Sequence, residues 1–199
     1  MSYLYPDVKI IVFTKPPIAG KCKSRLIPHL GKEGAADVQK KLLFNITNKL
    51  KEYNICPFEI WTSEASEFFS KHSLFSEIII KLQNGSDLGQ RMSHAIHSSI
   101  GSNKPVILIG SDCAEFSKPY FTQAIQQLEN HDVVFGPAYD GGYVLVGMSV
   151  YSPIIFQDIQ WGENDVLKLS CQRLDHELTS YSLLPVLHDI DDYDDIKYM

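Results

Sequence analysis

Pro105-Val106-Ile107-Leu108-Ile109-Gly110-Ser111-Asp112-Cys113 is the stretch whose reading decides the fold. Four consecutive apolar residues between a proline and a glycine are too short a run for a helix, and three of them are β-branched. They predict a central strand buried on both faces, as in a parallel sheet. In such sheets ligands bind beyond the carboxyl ends of the strands. Asp112 stands there, two residues past the strand's glycine.

Working outward, Val8 to Phe13 predicts another buried strand, because Pro16-Pro17 leaves no room for a helix. A loop, Thr14 to Pro28, leads to an amphipathic helix over Gly31 to Tyr53, spaced through Ala35, Val38, Leu42, Leu43, Ile46 and Leu50. Strands follow at Phe58 to Thr62 and Ile78 to Leu82, and Asp87 caps a helix over Leu88 to Ile100. Beyond the central strand come a helix over about Pro119 to Glu129 and strands at Val133 to Phe135 and Tyr143 to Met148. A helix around Asp165 to Glu177 and a strand around Tyr181 to Leu184 complete the pattern. Strands alternating with helices, without repeats or low-complexity linkers, predict an α/β fold with a mostly parallel sheet covered on both faces. At 199 residues and 44% hydrophobic, the chain suits one domain over 1–199.

The formal net charge of -6 argues against a general nucleic-acid binder. Its distribution is uneven. Residues 1–52 hold ten Lys and Arg against four Asp and Glu, and the remainder holds eight against twenty. A basic head on an acidic body suggests a local anion site, although a solvated helix face also accounts for it. Cys22, Cys56, Cys113 and Cys171 form no Cys-x-x-Cys pair, which argues against zinc and a disulfide framework. With no basic start and apolar run at Met1 to Asp7, and no apolar stretch long enough for a span, the expectation is a cytoplasmic protein without membrane contact.

Four segments fall where ligands are expected. In Lys15 to Arg25, Lys21, Lys23 and Arg25 alternate, so an extended loop would aim them together at phosphate oxygens, with Gly20 admitting the backbone. The segment is not a Walker A loop, since Cys22 follows Gly20-Lys21, and a solvated basic turn is the alternative. Asp112 offers a hard carboxylate on a rigid element, suited to Mg²⁺ or Mn²⁺ bridging diphosphate oxygens, or else a helix cap. In Gly136 to Tyr143, Gly141 and Gly142 permit close ligand approach and Asp140 could accept a proton. Asp140-Gly141 is equally a hairpin signal. Arg91, in a helix's first turn, runs against the helix dipole and hints at an anionic partner or, more blandly, a salt bridge. Trp161 could stack on a substrate ring or simply pack. The acidic run Asp189-Ile190-Asp191-Asp192 could supply a second metal carboxylate, though a solvated terminus is the commoner meaning. No His-x-x-x-His pair or Gly-x-Ser-x-Gly elbow occurs.

In order, Phe13-Thr14-Lys15-Pro16-Pro17 through Lys23-Ser24-Arg25-Leu26, Asp87 to Met92, Ile109 to Cys113, Gly136-Pro137-Ala138 through Tyr143, Trp161 and Asp189-Ile190-Asp191 resemble one family. It comprises small proteins with the nucleotide-diphospho-sugar transferase (GT-A) fold, described as glycosyltransferases associated with arsenosugar biosynthesis. The chain is more distantly similar to nucleotidyltransferases of molybdenum cofactor and coenzyme F420 synthesis. Ser24, Ala114 and Tyr139 depart from the family's usual Thr, Pro and carboxylate.

The resemblance implies a single-domain three-layer α/β/α sandwich. It implies nucleotide phosphates at Lys15, Gly20, Lys21, Lys23 and Arg25 and a divalent Mg or Mn cation on Asp112. Arg91 is a further candidate for nucleotide binding, and Gly141, Gly142, Tyr143 and Trp161 are candidates for substrate contacts. Asp112 and Asp140 are the candidate catalytic residues. The expected partners are a nucleotide or nucleotide-sugar and a small-molecule acceptor, with room for a homodimer. The implied activity is metal-dependent glycosyl transfer. The rivals are nucleotidyl transfer with pyrophosphate release and a non-catalytic nucleotide-binding role.

Overall fold

The computed structural model describes residues 2–101 and 104–199, so the span 1–199 read from the sequence includes Met1, Ser102 and Asn103, which lie outside the described residues. In chain order the main elements are β1 (Lys9–Thr14), α1 (Ile27–Tyr53), β2 (Phe58–Thr62), α2 (Phe68–Lys71), β3 (Ile79–Leu82) and α3 (Leu88–Ser99). After these come β4 (Val106–Gly110), α4 (Lys118–Gln127), β5 (Val133–Pro137), β6 (Tyr143–Met148), α5 (Val166–His176) and β7 (Tyr181–Leu183). The strands form one sheet in the order β3-β2-β1-β4-β6-β5-β7. All neighbours run parallel except β6, which is antiparallel to β4 and β5.

The predicted central strand lies in the middle of this sheet. Ile107 and Ile109 face a core layer with Leu43, Ile46 and Leu50 of α1 and Phe121 and Ile125 of α4. Val106 and Leu108 face the opposite layer, with Met92 and Ile96 of α3 and Leu174 of α5. Each such side chain contributes about 1.5–3 kcal/mol by leaving water, so a strand buried on both faces anchors the three layers. β6 runs backward because only residues 138–142 join it to β5, whereas a parallel return needs about a dozen residues. The hairpin reading of Asp140-Gly141 is thus the one the chain adopts.

One expectation is extended and one is corrected. A short helical segment from Ile27, with Pro28 in its first turn, precedes the predicted long helix, and a kink at Gly31 (φ 69, ψ 173) separates the two. The backbone there is left-handed, which glycine alone adopts without strain. The tail is not a solvated acidic terminus. Ile190 is fully buried against Leu26, Ala35, Val38 and Leu42. The acidic side chains around it act as turn acceptors, Asp195 Oδ2 taking the N–H groups of Asp191 and Asp192 at 2.9 and 2.8 Å.

One carboxylate serves the scaffold alone. Glu59 on β2 is buried and accepts from Trp61 Nε1 (2.9 Å) and Ser99 Oγ (3.1 Å), while Lys81 Nζ lies 3.0 Å away. Burial alone would raise its pKa. The hydrogen bonds of Trp61 and Lys81 and the charges of Lys9 and Lys81 outweigh that and hold it below the usual range. A lowered folded-state pKa stabilises above the unfolded value, and that contribution is lost as pH falls through the folded one. Glu59→Gln should therefore lower stability by about 1–3 kcal/mol at pH 7. The gap from the wild type should narrow below about pH 4.3, as urea unfolding at pH 7 and pH 3 would show.

Candidate active site

A cleft of ≈ 560 Å³ opens at the carboxyl ends of β1, β3 and β4. Its floor is a buried polar knot. Thr14 Oγ1 and Ser111 Oγ are 2.9 Å apart, and Gln39 Nε2 of α1 donates to Thr14 Oγ1 (3.0 Å), Ser111 Oγ (3.2 Å) and the Lys15 carbonyl (3.2 Å). The knot ties the ends of β1 and β4 to α1, and so fixes Lys15 and Asp112 relative to each other. Sequence reasoning missed it. Its signal was a glutamine beside the apolar stripe of α1.

The first loop is not extended. Lys21 N–H closes a turn on the Ile18 carbonyl, Lys23 is left-handed (φ 48), and Ser24–Leu26 is a 3-10 turn. Lys21 therefore parts from Lys23 and Arg25, which meet at Asp191. Lys21 leaves the cleft to pair with Glu64 at 2.8 Å. Lys23 turns inward, its side chain only 4% exposed, with Nζ 2.9 Å from Asp112 Oδ1, 3.6 Å from Asp191 Oδ1 and 2.6 Å from the Ile190 carbonyl. Burial works against that ammonium, but Asp112, Asp191 and Asp189 hold its pKa above the ordinary lysine value. Arg25 Nη1 pairs with Asp191 Oδ2 at 3.0 Å. Gly20 (φ 81) serves the turn and does not line the cleft.

The tail closes this side. Ile190 N–H donates to the Asp112 carbonyl at 3.0 Å, and His188 stacks between Tyr139 (4.0 Å) and Tyr198 (3.7 Å). Asp189 and Asp191 consequently line the cleft beside Asp112. Burial, followed by the charges of Asp140 and Asp191, pushes the Asp189 carboxyl up to about 6.

At the other side, Asp87 caps α3 as predicted, accepting from Gln90 N–H at 2.8 Å. Arg91 Nε donates to the Gly85 carbonyl at 3.0 Å. That bond orients the guanidinium and leaves its other nitrogens available. Gln83, which the sequence reading passed over, donates from Nε2 to the carbonyls of Trp61 (2.9 Å) and Thr14 (3.2 Å), so its Oε1 is left as an acceptor. Among the described residues, Lys15 and Arg91 are the cleft's cations without a carboxylate partner.

Of the sequence-predicted residues, the cleft brings together Lys15, Lys23, Arg25, Arg91, Asp112 and Tyr143. The Tyr143 hydroxyl is buried without a hydrogen-bond partner, and burial drives its pKa far up. Asp140, Gly141 and Gly142 form the β5–β6 turn outside the lining, where Asp140 Oδ1 accepts from Gly142 N–H at 2.8 Å. Trp161 packs over Gly89 and Phe156 and lines a separate groove, away from the cleft. Another hollow, beside α2 and β3, offers Lys81 as its one charged side chain and lacks the means for group transfer.

Among the described residues no three His, Cys, Asp or Glu side chains form a ready metal cage. Two carboxylates converging on one resident cation nevertheless fit a hard divalent ion of the Mg²⁺ class. Such ions take one or two protein carboxylates and complete their shell with water and phosphate oxygens. No helix among the described residues is long and apolar enough to cross a membrane.

Residues 46–163 match a family described as "Uncharacterized protein conserved in bacteria (DUF2064)". A solved structure from Desulfovibrio desulfuricans G20, provisionally described as a nucleotide-diphospho-sugar transferase, is 28% identical with a TM-score of 0.86. The match covers 94% of this chain and 83% of that one. A 2-phospho-L-lactate guanylyltransferase of Methanobrevibacter smithii is 26% identical over 122 residues, which is 61% of this chain. The match spans about half (54%) of that relative's length. A Mycobacterium tuberculosis H37Rv protein solved as a manganese complex shares the fold, with a TM-score of 0.55 and 12% identity over 96% of both chains.

Proposed function

The chain belongs to the DUF2064 family, and from that premise and the charge pattern of the cleft we propose that it is a metal-dependent glycosyltransferase acting on a nucleoside diphosphate-sugar. The observation that carries this reading is the charge pattern of the cleft lining. It holds two cations without carboxylate partners, Lys15 and Arg91, together with three carboxylates, Asp112, Asp189 and Asp191. Two uncommitted positive charges match the two negative charges of a sugar-bound diphosphate better than the four of a triphosphate. The likeness to the Desulfovibrio structure, over nearly the whole chain, supports the same choice.

In this reading the diphosphate lies between Lys15 and Arg91, and Gln83 Oε1 accepts from the base or ribose. Asp112 and Asp191 would hold a divalent cation, which supplies charge neutralisation for the leaving diphosphate. The manganese-bound relative of the same fold is consistent with that assignment. Asp189, which lines the cleft, takes over from the turn residue Asp140 as the group that orients or deprotonates the acceptor hydroxyl. The acceptor in this reading is a small molecule.

Nucleotidyl transfer is the second reading, favoured by the likeness to the guanylyltransferase. Products separate the two. Release of nucleoside diphosphate from a sugar donor supports glycosyl transfer, and release of pyrophosphate from a triphosphate overturns it. A thermal-shift panel of UDP, GDP, CDP, their sugar conjugates and triphosphates, with and without Mn²⁺, should single out the donor. A ligand at about 100 times its Kd adds roughly 2.7 kcal/mol of stability. A flat panel would sink both transferase readings.

A further inference from the structure

We propose that Lys23 is the resident counter-ion of the divalent-cation site, and that a metal ion enters by displacing its ammonium from Asp112 and Asp191 toward the donor's diphosphate. This deepens the reading above and rests on it.

The Lys23 ammonium sits among three oxygens, two anionic and one a carbonyl: Asp112 Oδ1 at 2.9 Å, Asp191 Oδ1 at 3.6 Å and the Ile190 carbonyl at 2.6 Å. Carboxylate and carbonyl oxygens are the donors a hard cation takes. The ammonium therefore occupies the centre that a metal ion would claim. Its side chain is 4% exposed, whereas those of Asp112 and Asp191 are each 42% exposed, so an incoming ion meets the carboxylates from solvent while lysine holds them from behind.

Charge balance gives the exchange its direction. Asp112, Asp189 and Asp191 are nearly offset by Lys23 and Arg25, so a divalent ion added without relocation would leave excess positive charge. A diphosphate removes that excess, and the displaced ammonium becomes a third cation on it beside Lys15 and Arg91. Metal and nucleotide should thus each tighten the other's binding, by the same factor in both directions.

A purely structural Lys23 predicts the opposite sign. If it served only to clamp the tail, removing it would loosen Asp191 and weaken metal binding. If it competes with the metal, removal unmasks two carboxylates and strengthens binding.

The test is titration of the full chain with Mn²⁺ alone, following the free-ion electron paramagnetic resonance signal. Lys23→Ala should bind Mn²⁺ on the order of tenfold more tightly than the wild type, because a positive charge about 3 Å from the ion's oxygens is gone. Lys23→Met, which keeps the apolar stem, should do the same and decides the matter if the alanine variant does not fold. Lys23→Arg, which keeps the charge, should bind no more tightly than the wild type. Equal or weaker Mn²⁺ binding in both neutral variants overturns the proposal, as does the absence of Mn²⁺ binding in every form. Nucleotide stabilisation measured without metal tests the transferase reading separately, so the two can fail independently.

Discussion

Asp112→Asn should lower metal-dependent turnover of the identified donor by at least about a hundredfold while the protein remains folded. The amide keeps the shape of the carboxylate and removes its charge. Asp112 stands at the end of a strand whose apolar side chains are at most 4% exposed, so the backbone that carries it has no reason to move. The Lys23 ammonium keeps Asp191 and the Ile190 carbonyl, which limits the stability loss to about 1–3 kcal/mol. Steady-state rates at saturating donor and raised Mn²⁺, alongside urea unfolding, check both parts. Undiminished turnover with metal bound would remove Asp112 from the chemistry.

The largest expected stability effect lies away from the cleft, at Gly141. Its φ is +89, and a Cβ there would overlap the backbone carbonyl of Asn164 in the segment that leads into α5. Gly141 also accepts from Leu167 N–H at 3.0 Å, so the turn is bolted to the start of that helix. Gly141→Ala combines a disfavoured backbone conformation with a clash against main-chain atoms that cannot rotate away. We expect a loss of about 3 kcal/mol or more, read as a lower urea midpoint. An unfolding free energy within about 0.5 kcal/mol of the wild type would show that the hairpin can part from α5.

The fold was legible where burial sets the residue pattern. The apolar runs at Val106 and Tyr143 and the spacing from Ala35 to Leu50 could form only buried strands and an amphipathic helix, and they do. The site was legible in part. Asp112 could be placed because a strand end fixes one residue, and Asp87 because a cap has a local signature. The alternation of Lys21, Lys23 and Arg25 carried weight only for an extended loop. A left-handed lysine at position 23 leaves no mark in sequence, since nothing but its finished surroundings imposes it. The roles of Gln39 and Gln83 were hidden for a related reason, because both act on carbonyls or hydroxyls contributed by distant strands. The tail misled because one apolar residue, Ile190, among aspartates has no periodicity to reveal that it is core.

The contact between Lys23 and Ile190 joins positions 167 residues apart in the chain. During synthesis the sheet's first strands and the loop after β1 emerge early, but the wall that faces them is translated 167 residues after Lys23. A nascent chain can therefore assemble most of its framework while still lacking one side of its cleft. The cleft gains that side only once the segment after His188 has left the ribosome.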